Sequence, residues 1–458
     1  LAVAGLVRQS ILAGDFGRDG KLPSIRQAAL RYSVSKNTVI AAYIHLEQQG
    51  LILSRDRSGF YLAPNASEAS EPQIIEHPLS LVEQRGLDIL SELDELRRNS
   101  GHDLLSPILD ARLLPHAMIA RAARKIIAED MDSCLTADFG PGYRPLRLGL
   151  AAYYRHRDVI ADERDFLTTL GCTHALVAAI EASTQPGDAV AIRTPTFYPL
   201  LRMLHSLNRK VVEIPGTADR SRDLDRLEAA MARFNVRACL VAVSLPDPHG
   251  GTLSDEDKRR LIDLAARFDM AIIEDDVFGH LSAGNRAARP LKSFDDDGRV
   301  LHCSSFSKTL GSGLRVGWCL PGRYMRQMQN VRSIVAPAMP VLEQAIIARF
   351  LESASFARHV RDLKHTVRKN AQTLQRAMGK GLLAGARLTS EGDSMLAWVQ
   401  LPPGTSGWSI YKAALERNVA VAPGLVYSLG DHFDGHIRIS LCVDVTHFGR
   451  AIALIESQ

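Results

Sequence analysis

The densest chemistry in the chain lies in Ser304-Ser305-Phe306-Ser307-Lys308-Thr309-Leu310-Gly311-Ser312-Gly313-Leu314-Arg315-Val316-Gly317. A lysine follows a strand-like run, is framed by hydroxyls and glycines, and has an arginine shortly after it. Its amine can form a Schiff base with an aldehyde, while the hydroxyls and arginine can hold a phosphate. The stretch therefore suits an anionic aldehyde cofactor. Alone it is weakly specific, because most lysines are solvated surface groups. Two upstream stretches add support. Gly171-Cys172-Thr173-His174-Ala175 follows an apolar run and opens a helix whose first amides would cradle a phosphate. Ile273-Glu274-Asp275-Asp276-Val277-Phe278-Gly279 ends a strand with acids. A buried carboxylate at that place can pair with a protonated pyridine nitrogen. A helix N-cap or an exposed acid pair is the plainer alternative.

A second set of reactive groups stands near the N-terminus. Ser35, Lys36, Asn37 and Thr38 open an apolar-periodic segment, and Arg55 and Arg57 flank Gly59 in a short turn. Each of the first four can donate to a phosphate or a base, and Asn37 could read adenine with two hydrogen bonds. The two arginines could follow a duplex backbone or enter its minor groove.

These groups need elements to position them. Residues 2–13 read as a short apolar helix, and Pro23-Ser24 starts a second helix with Ser24 as N-cap. After the turn Ser33-Val34-Ser35, a third helix runs to about Gln49, with Val39, Ala42, Tyr43 and Leu46 on its buried face. Residues 51–53 and 60–62 read as strands joined by the turn 55–59. Helix-turn-helix plus a basic hairpin is a winged-helix layout, with the third helix entering the major groove. An ordinary three-helix bundle is the bland alternative. Residues 64–84, with three prolines among small polar and acidic residues, read as a linker. From residue 85 to 458, strand-like runs such as 189–193, 211–214, 238–243, 270–273 and 300–303 alternate with helical stretches such as 255–268. That alternation predicts an α/β body with a mostly parallel sheet.

Composition agrees with this division. The 458 residues carry 55 Lys+Arg against 51 Asp+Glu. Residues 1–63 hold eight bases and four acids, which is the whole excess of the chain. A basic module on a neutral body points to an anionic partner for the module alone. Hydrophobic residues at 46% and charged residues at 23% exclude a disordered chain. No run of about 18 apolar residues occurs, so no membrane span is expected. Residues 1–14 carry Arg8 and Gln9 inside the apolar stretch and do not resemble a signal peptide. Leu1 in place of Met suggests that residues are missing before it. Six scattered cysteines, without zinc-ligand spacing, fit a reducing cytoplasm and no metal site.

The N-terminal text is familiar. Leu22-Pro23-Ser24-Ile25-Arg26, Val34-Ser35-Lys36-Asn37-Thr38-Val39, Ala42-Tyr43 and Leu46-Glu47-Gln48-Gln49-Gly50-Leu51 resemble the winged helix of GntR-type bacterial transcription regulators. The resemblance implies that Arg26 and Lys36 contact double-stranded DNA, with Thr38 on the backbone and Gly59 at the wing tip. The body, from about residue 100 to the end, resembles a fold-type I, class I/II aminotransferase with large and small subdomains. Its motifs are Gly142-Tyr143-Arg144-Pro145-Leu146-Arg147, Gly171–His174, Pro186-Gly187-Asp188 with Pro195-Thr196-Phe197-Tyr198-Pro199, Glu274–Asp276, Ser305–Arg315, and Pro423-Gly424 with His436-Ile437-Arg438-Ile439-Ser440.

That resemblance implies pyridoxal 5'-phosphate (PLP) on Lys308, with Asp275 at the pyridine nitrogen. It places Ser305, Ser307, Arg315 and the Cys172-Thr173 backbone around the phosphate, Phe197 against the ring, and Arg438 on a substrate or effector carboxylate. Three positions depart from the family pattern. Asp247 stands where Asn is usual, Phe278 where Tyr is usual, and Phe139 in place of another Tyr. Phe278 lacks a hydroxyl donor, and an ionised Asp247 would repel the cofactor's phenolic oxygen. Cofactor binding is expected to survive, with weak or no transamination. The two halves together resemble MocR-type regulators. This implies a homodimer that binds DNA and senses PLP or an amino-acid or amine effector. A working aminotransferase with a DNA-binding appendage is the second reading. A regulator whose pocket has lost cofactor is the third.

Overall fold

The computed structural model describes residues 7, 21–32, 34–48, 52–55, 59–62, 74–77, 100–216, 220–281, 289–353, 355–390, 394–430 and 432–457. The chain divides into two units, residues 1–73 with 402–405, and residues 74–401 with 406–458.

In the first unit, a helix at Ile25–Arg31 precedes one at Lys36–Gln48. Ser24 and Gln27 form a reciprocal capping box at the first. At the second, the Thr38 amide donates to Ser35 Oγ at 3.1 Å, satisfying one of the orphan donors of the helix start. Val39, Ala42, Tyr43 and Leu46 are buried, with Val7, Leu22, Ala28 and Ile52 packed around them. The Tyr43 hydroxyl donates to the Pro23 carbonyl at 2.8 Å. Strands β1 (Ile52–Arg55) and β2 (Gly59–Leu62) pair antiparallel. Arg55 and Gly59 face each other as the last pair of this ladder. They are therefore strand ends, not turn residues as the sequence suggests. Gly59 has φ +103°, which favours glycine. The expected helix at 2–13 lies outside the described residues except at Val7, as do Ser33, Arg57 and the side chain of Arg55.

The second unit is built on an eight-stranded sheet in the order β3-β7-β6-β8-β9-β10-β11-β5. Its strands are β3 (Ile75–His77), β5 (Leu167–Thr169), β6 (Ala189–Thr194), β7 (Lys210–Pro215), β8 (Val236–Val241), β9 (Ala271–Asp275), β10 (Val300–Ser305) and β11 (Gly317–Leu320). The five strands from β7 to β10 run parallel, and β3, β11 and β5 each pair antiparallel with their neighbours. Helices cover the faces, so the central strands are largely apolar and buried, as in Ala271–Asp275, which is buried throughout and turns acidic only at its carboxyl end. Within the stretch expected as linker, Ile75–His77 is instead the edge strand of this sheet, paired with β7. Three residues joined by backbone hydrogen bonds to a strand far along the chain leave little periodic signal.

A two-stranded parallel pair joins β4 (His102–Asp103) to β14 (Val419–Ala420). A four-stranded antiparallel sheet, in the order β12-β13-β16-β15, uses Arg387–Leu388, Leu396–Gln400, His436–Ser440 and Ala422–Pro423. It packs with the 23-residue helix Ser355–Ala377 and with Val445–Glu456. Among the described residues no helix is long and apolar enough to cross a membrane.

Candidate functional site

The site forms at the carboxyl ends of the parallel strands, where open α/β sheets leave a crevice for ligands. Strand β9 ends at Asp275, β10 ends at Ser305, and β8 leads into the loop carrying Asp247. Strand pairing sets Cys303 beside Asp275, Ser305 beside Gly317, and Gly317 beside Thr169. Three distant segments, 169–172, 305–307 and 315–317, thus meet at one corner. The backbones there approach closely. A Cβ on Gly317 would lie 2.8 Å from the Cys172 amide nitrogen.

That corner gathers donors that could hold an anion. The helix Cys172–Ser183 starts at Gly171, with φ +86° and no side-chain cap among the described residues, so its first amides could serve a ligand. Thr173 is exposed at this end, and Arg315 Nη2 donates to the Leu170 carbonyl at 2.8 Å. Ser305 Oγ donates to Ser307 Oγ at 3.1 Å and accepts from the Ser307 amide. Arg315 itself adopts left-handed backbone, with φ +50°. Phe197 is half-buried beside the same helix, at the start of the helix Tyr198–Ser206.

Lys308 lies next to the cradle. Its Nζ donates to the Pro107 carbonyl at 2.7 Å and sits 5.5 Å from the centre of the Phe278 ring. Burial pulls its pKa down, against the nearby Asp247 and Asp275 carboxyls and the Cys442 thiol. A lowered amine pKa favours the neutral nucleophile. Asp275 is buried, and Oδ1 accepts from the Val277 amide at 3.2 Å and from Cys172 Sγ at 3.5 Å. Burial pushes its carboxyl up to about 6 despite these donors.

Asp247 and Arg438 are both buried, and they pair. Arg438 Nη1 donates to Asp247 Oδ2 at 2.6 Å, and Nη2 donates to the Leu105 carbonyl. The Arg438 ring neighbour is Tyr427, 5.5 Å from the guanidinium carbon. Arg438 therefore already has a carboxylate partner within the chain, where the sequence implies an open fork for a ligand's carboxylate. The reason is chemical. The substituted Asp247 carries the charge that the usual amide lacks. Burial opposes the charge on Arg438, but Asp247 outweighs it and holds the guanidinium above its ordinary pKa.

The sequence did not point to several contributors. The segment 104–107 lends carbonyls to both site cations. Its path is fixed by Asp103 Oδ1, which accepts from the Leu105 and Ser106 amides at 2.9 Å each. Beneath Asp275, Arg157 Nη1 donates to Asp276 Oδ2 at 2.5 Å, with both side chains buried. His302 Nε2 meets the Tyr154 hydroxyl at 2.8 Å, and His302 Nδ1 meets Glu274 Oε2 at 2.6 Å. The acids flanking Asp275 in one motif were the available signal, since each must have a buried partner.

In the first unit, Arg26, Lys36, Asn37 and Thr38 are exposed. The Ser35 and Thr38 hydroxyls are 2.8 Å apart, so part of their capacity goes to capping the helix. Lys36 and Asn37 stand in its first turn without such a task.

The model for aminotransferase class I and II matches residues 109–455. The chain belongs to the class I and II aminotransferase family. The model for bacterial regulatory proteins of the gntR family matches residues 1–62, so this aminotransferase-family chain has the MocR-type arrangement of a GntR winged helix ahead of a fold-type I body. It is 28% identical over 442 residues to the uncharacterized HTH-type transcriptional regulator YdcR of Escherichia coli (strain K12), covering 96% of this chain and 94% of the relative. It is 27% identical to YjiR of the same strain, with 97% and 95% covered. The structure of a Pyrococcus horikoshii kynurenine aminotransferase superposes with a TM-score of 0.73 at 21% identity, covering 83% of this chain and 96% of that one. This likeness concerns the fold. Within the class I and II pattern, the departures Asp247 and Phe278 both fall beside Lys308. Phe139 is 73% exposed, on the outside of the unit.

Proposed function

We propose that the chain is a DNA-binding transcriptional regulator whose large unit holds PLP on Lys308 and senses it or a small amine or amino acid. The observation that carries this is the joining of an uncapped helix start, Ser305, Ser307 and Arg315 to a half-buried Lys308 and a buried Asp275 at the carboxyl ends of the parallel strands. The donors fit a phosphate at one end and a basic ring nitrogen at the other. When bound, the cofactor supplies an aldehyde for an amine and an electron-withdrawing ring. Lys308 would offer the amine. Asp275 would keep the ring nitrogen's proton in place. Cys172 and Thr173 amides, both serines and Arg315 would hold the phosphate.

Phe278 offers no hydroxyl near Lys308, and Asp247 offers a carboxylate in place of an amide donor. Both favour capture of a ligand over fast turnover. The intact Lys308, Asp275 and Arg315 support the second reading, a working aminotransferase, which measurable keto-acid turnover would favour.

On the DNA side, Arg26, Ser35, Lys36, Asn37 and Thr38 would meet the duplex, with Arg55, Arg57 and Gly59 on the wing. A homodimer, working in the cytoplasm, would present two such modules to a two-fold site.

Two titrations test the proposal. Full-length protein mixed with PLP should gain a saturable visible absorption band that Lys308→Ala lacks. An unchanged spectrum of the parent protein would exclude the cofactor. On a duplex selected from a random pool, Lys36→Ala should weaken binding and reduce the salt slope by about 1. Identical affinity and slope would remove Lys36 from the interface.

A further inference from the structure

The Asp247–Arg438 pair bears on what the pocket admits. We infer that Asp247 acts as a resident carboxylate for Arg438, so that the site selects primary amines without an α-carboxylate over the corresponding α-amino acids. This rests on the PLP-binding reading above and narrows its ligand class.

Charge and space set this preference. Arg438 is fully buried, with Nη1 on Asp247 Oδ2 and Nη2 on the Leu105 carbonyl, while its Nε has no acceptor among the described residues. A ligand carboxylate at that place would have two outcomes. Sharing the guanidinium would bring two carboxylates together in a buried place, which disfavours ionisation of both. Displacing Asp247 would strand a charge that is 7% exposed and whose Oδ1 already has no partner among the described residues. Burial already lifts the Asp247 carboxyl against the pull of Arg438 and Lys308. An amine lacking the carboxylate avoids both costs and leaves the pair intact. It still reaches Lys308, which Asp247 and Arg438 both influence electrostatically. Asp247 is thus a specificity-determining residue.

The test uses matched pairs: phenethylamine with phenylalanine, cadaverine with lysine, and ethylamine with alanine. Each is titrated calorimetrically into full-length protein loaded with PLP. In at least one pair the amine should bind about tenfold or more tightly than its amino acid, and in no pair should the order reverse. Asp247→Asn, which removes the competing negative charge while keeping an acceptor for Arg438, should shift the ratio about tenfold toward the amino acid. Tighter binding of an amino acid by the parent protein in any pair would overturn the inference. So would the absence of binding by every member to a protein that has taken up PLP. The parent comparison stands even if the variant does not fold. Failure of the visible band to form with PLP would instead overturn the reading beneath it, and the two failures are distinguishable by that spectrum.

Discussion

Asp275 is the residue whose charge state would decide most at the proposed cofactor site. Its carboxyl is pushed up to about 6 by burial, so it is ionised at neutral pH and loses that charge as pH falls through this value. Only the ionised form can pair with a protonated ring nitrogen. PLP affinity should therefore be steady from neutral pH upward and decline on acidification through about 6. Asp275→Asn should bind more weakly at neutral pH and lose much of this slope, as followed by absorbance titration at stepped pH. A parent-like slope in the variant would assign the titration to another group. Lys308, Asp275 and Arg315 were legible because each sits in a motif local in the chain. The partners of Arg438 were not. Asp247 lies 191 residues away in sequence, and Leu105 contributes a carbonyl that no side chain announces.

At the level of elements, the strand β9 owes its terminal geometry to what lies beneath it. Arg157, just beyond the helix Arg144–Arg155, ties Asp276 from below, while the Asp276 amide donates to the Cys303 carbonyl at 2.9 Å. Removing one partner of a buried pair leaves the other charge uncompensated. Arg157→Met should cost about 3–5 kcal/mol in urea unfolding, and adding Asp276→Asn should recover part of it. Equal losses in the single and double variants would show that packing, not charge, dominates. The long apolar runs revealed the central parallel strands, since strands buried on both faces read as continuous hydrophobic stretches. The edge strand β3 escaped, because its identity depends on pairing with β7 rather than on its own composition. The winged-helix pattern succeeded for the opposite reason. Ser24 and Ser35 cap locally, and their tasks are visible within four residues.

For the whole molecule, the proposed dimer has a physical counterpart on the large unit. Ile334 is 82% and Val335 60% exposed, at the end of the helix Met325–Val335. Phe139 lies in a segment held to the same region, since Asp138 bridges Met339 and Arg332 Nη2 donates to the Gly140 carbonyl at 3.0 Å. Apolar groups gathered in this way favour association. Phe139→Asp combined with Ile334→Asp should halve the sedimenting mass with little change in melting temperature. An unaltered mass would place the dimer contact elsewhere. The segment 104–107 has a further, evolutionary consequence. Because it restrains Lys308 and Arg438 through carbonyl oxygens, those tethers are indifferent to side-chain identity. Leu104 and Leu105 are nevertheless buried in the core, so descent is expected to hold this segment by its apolar packing and its path, while drift at positions such as 247 and 278 would rewrite what the pocket welcomes. Heredity here would preserve a contour together with the apolar packing that carries it.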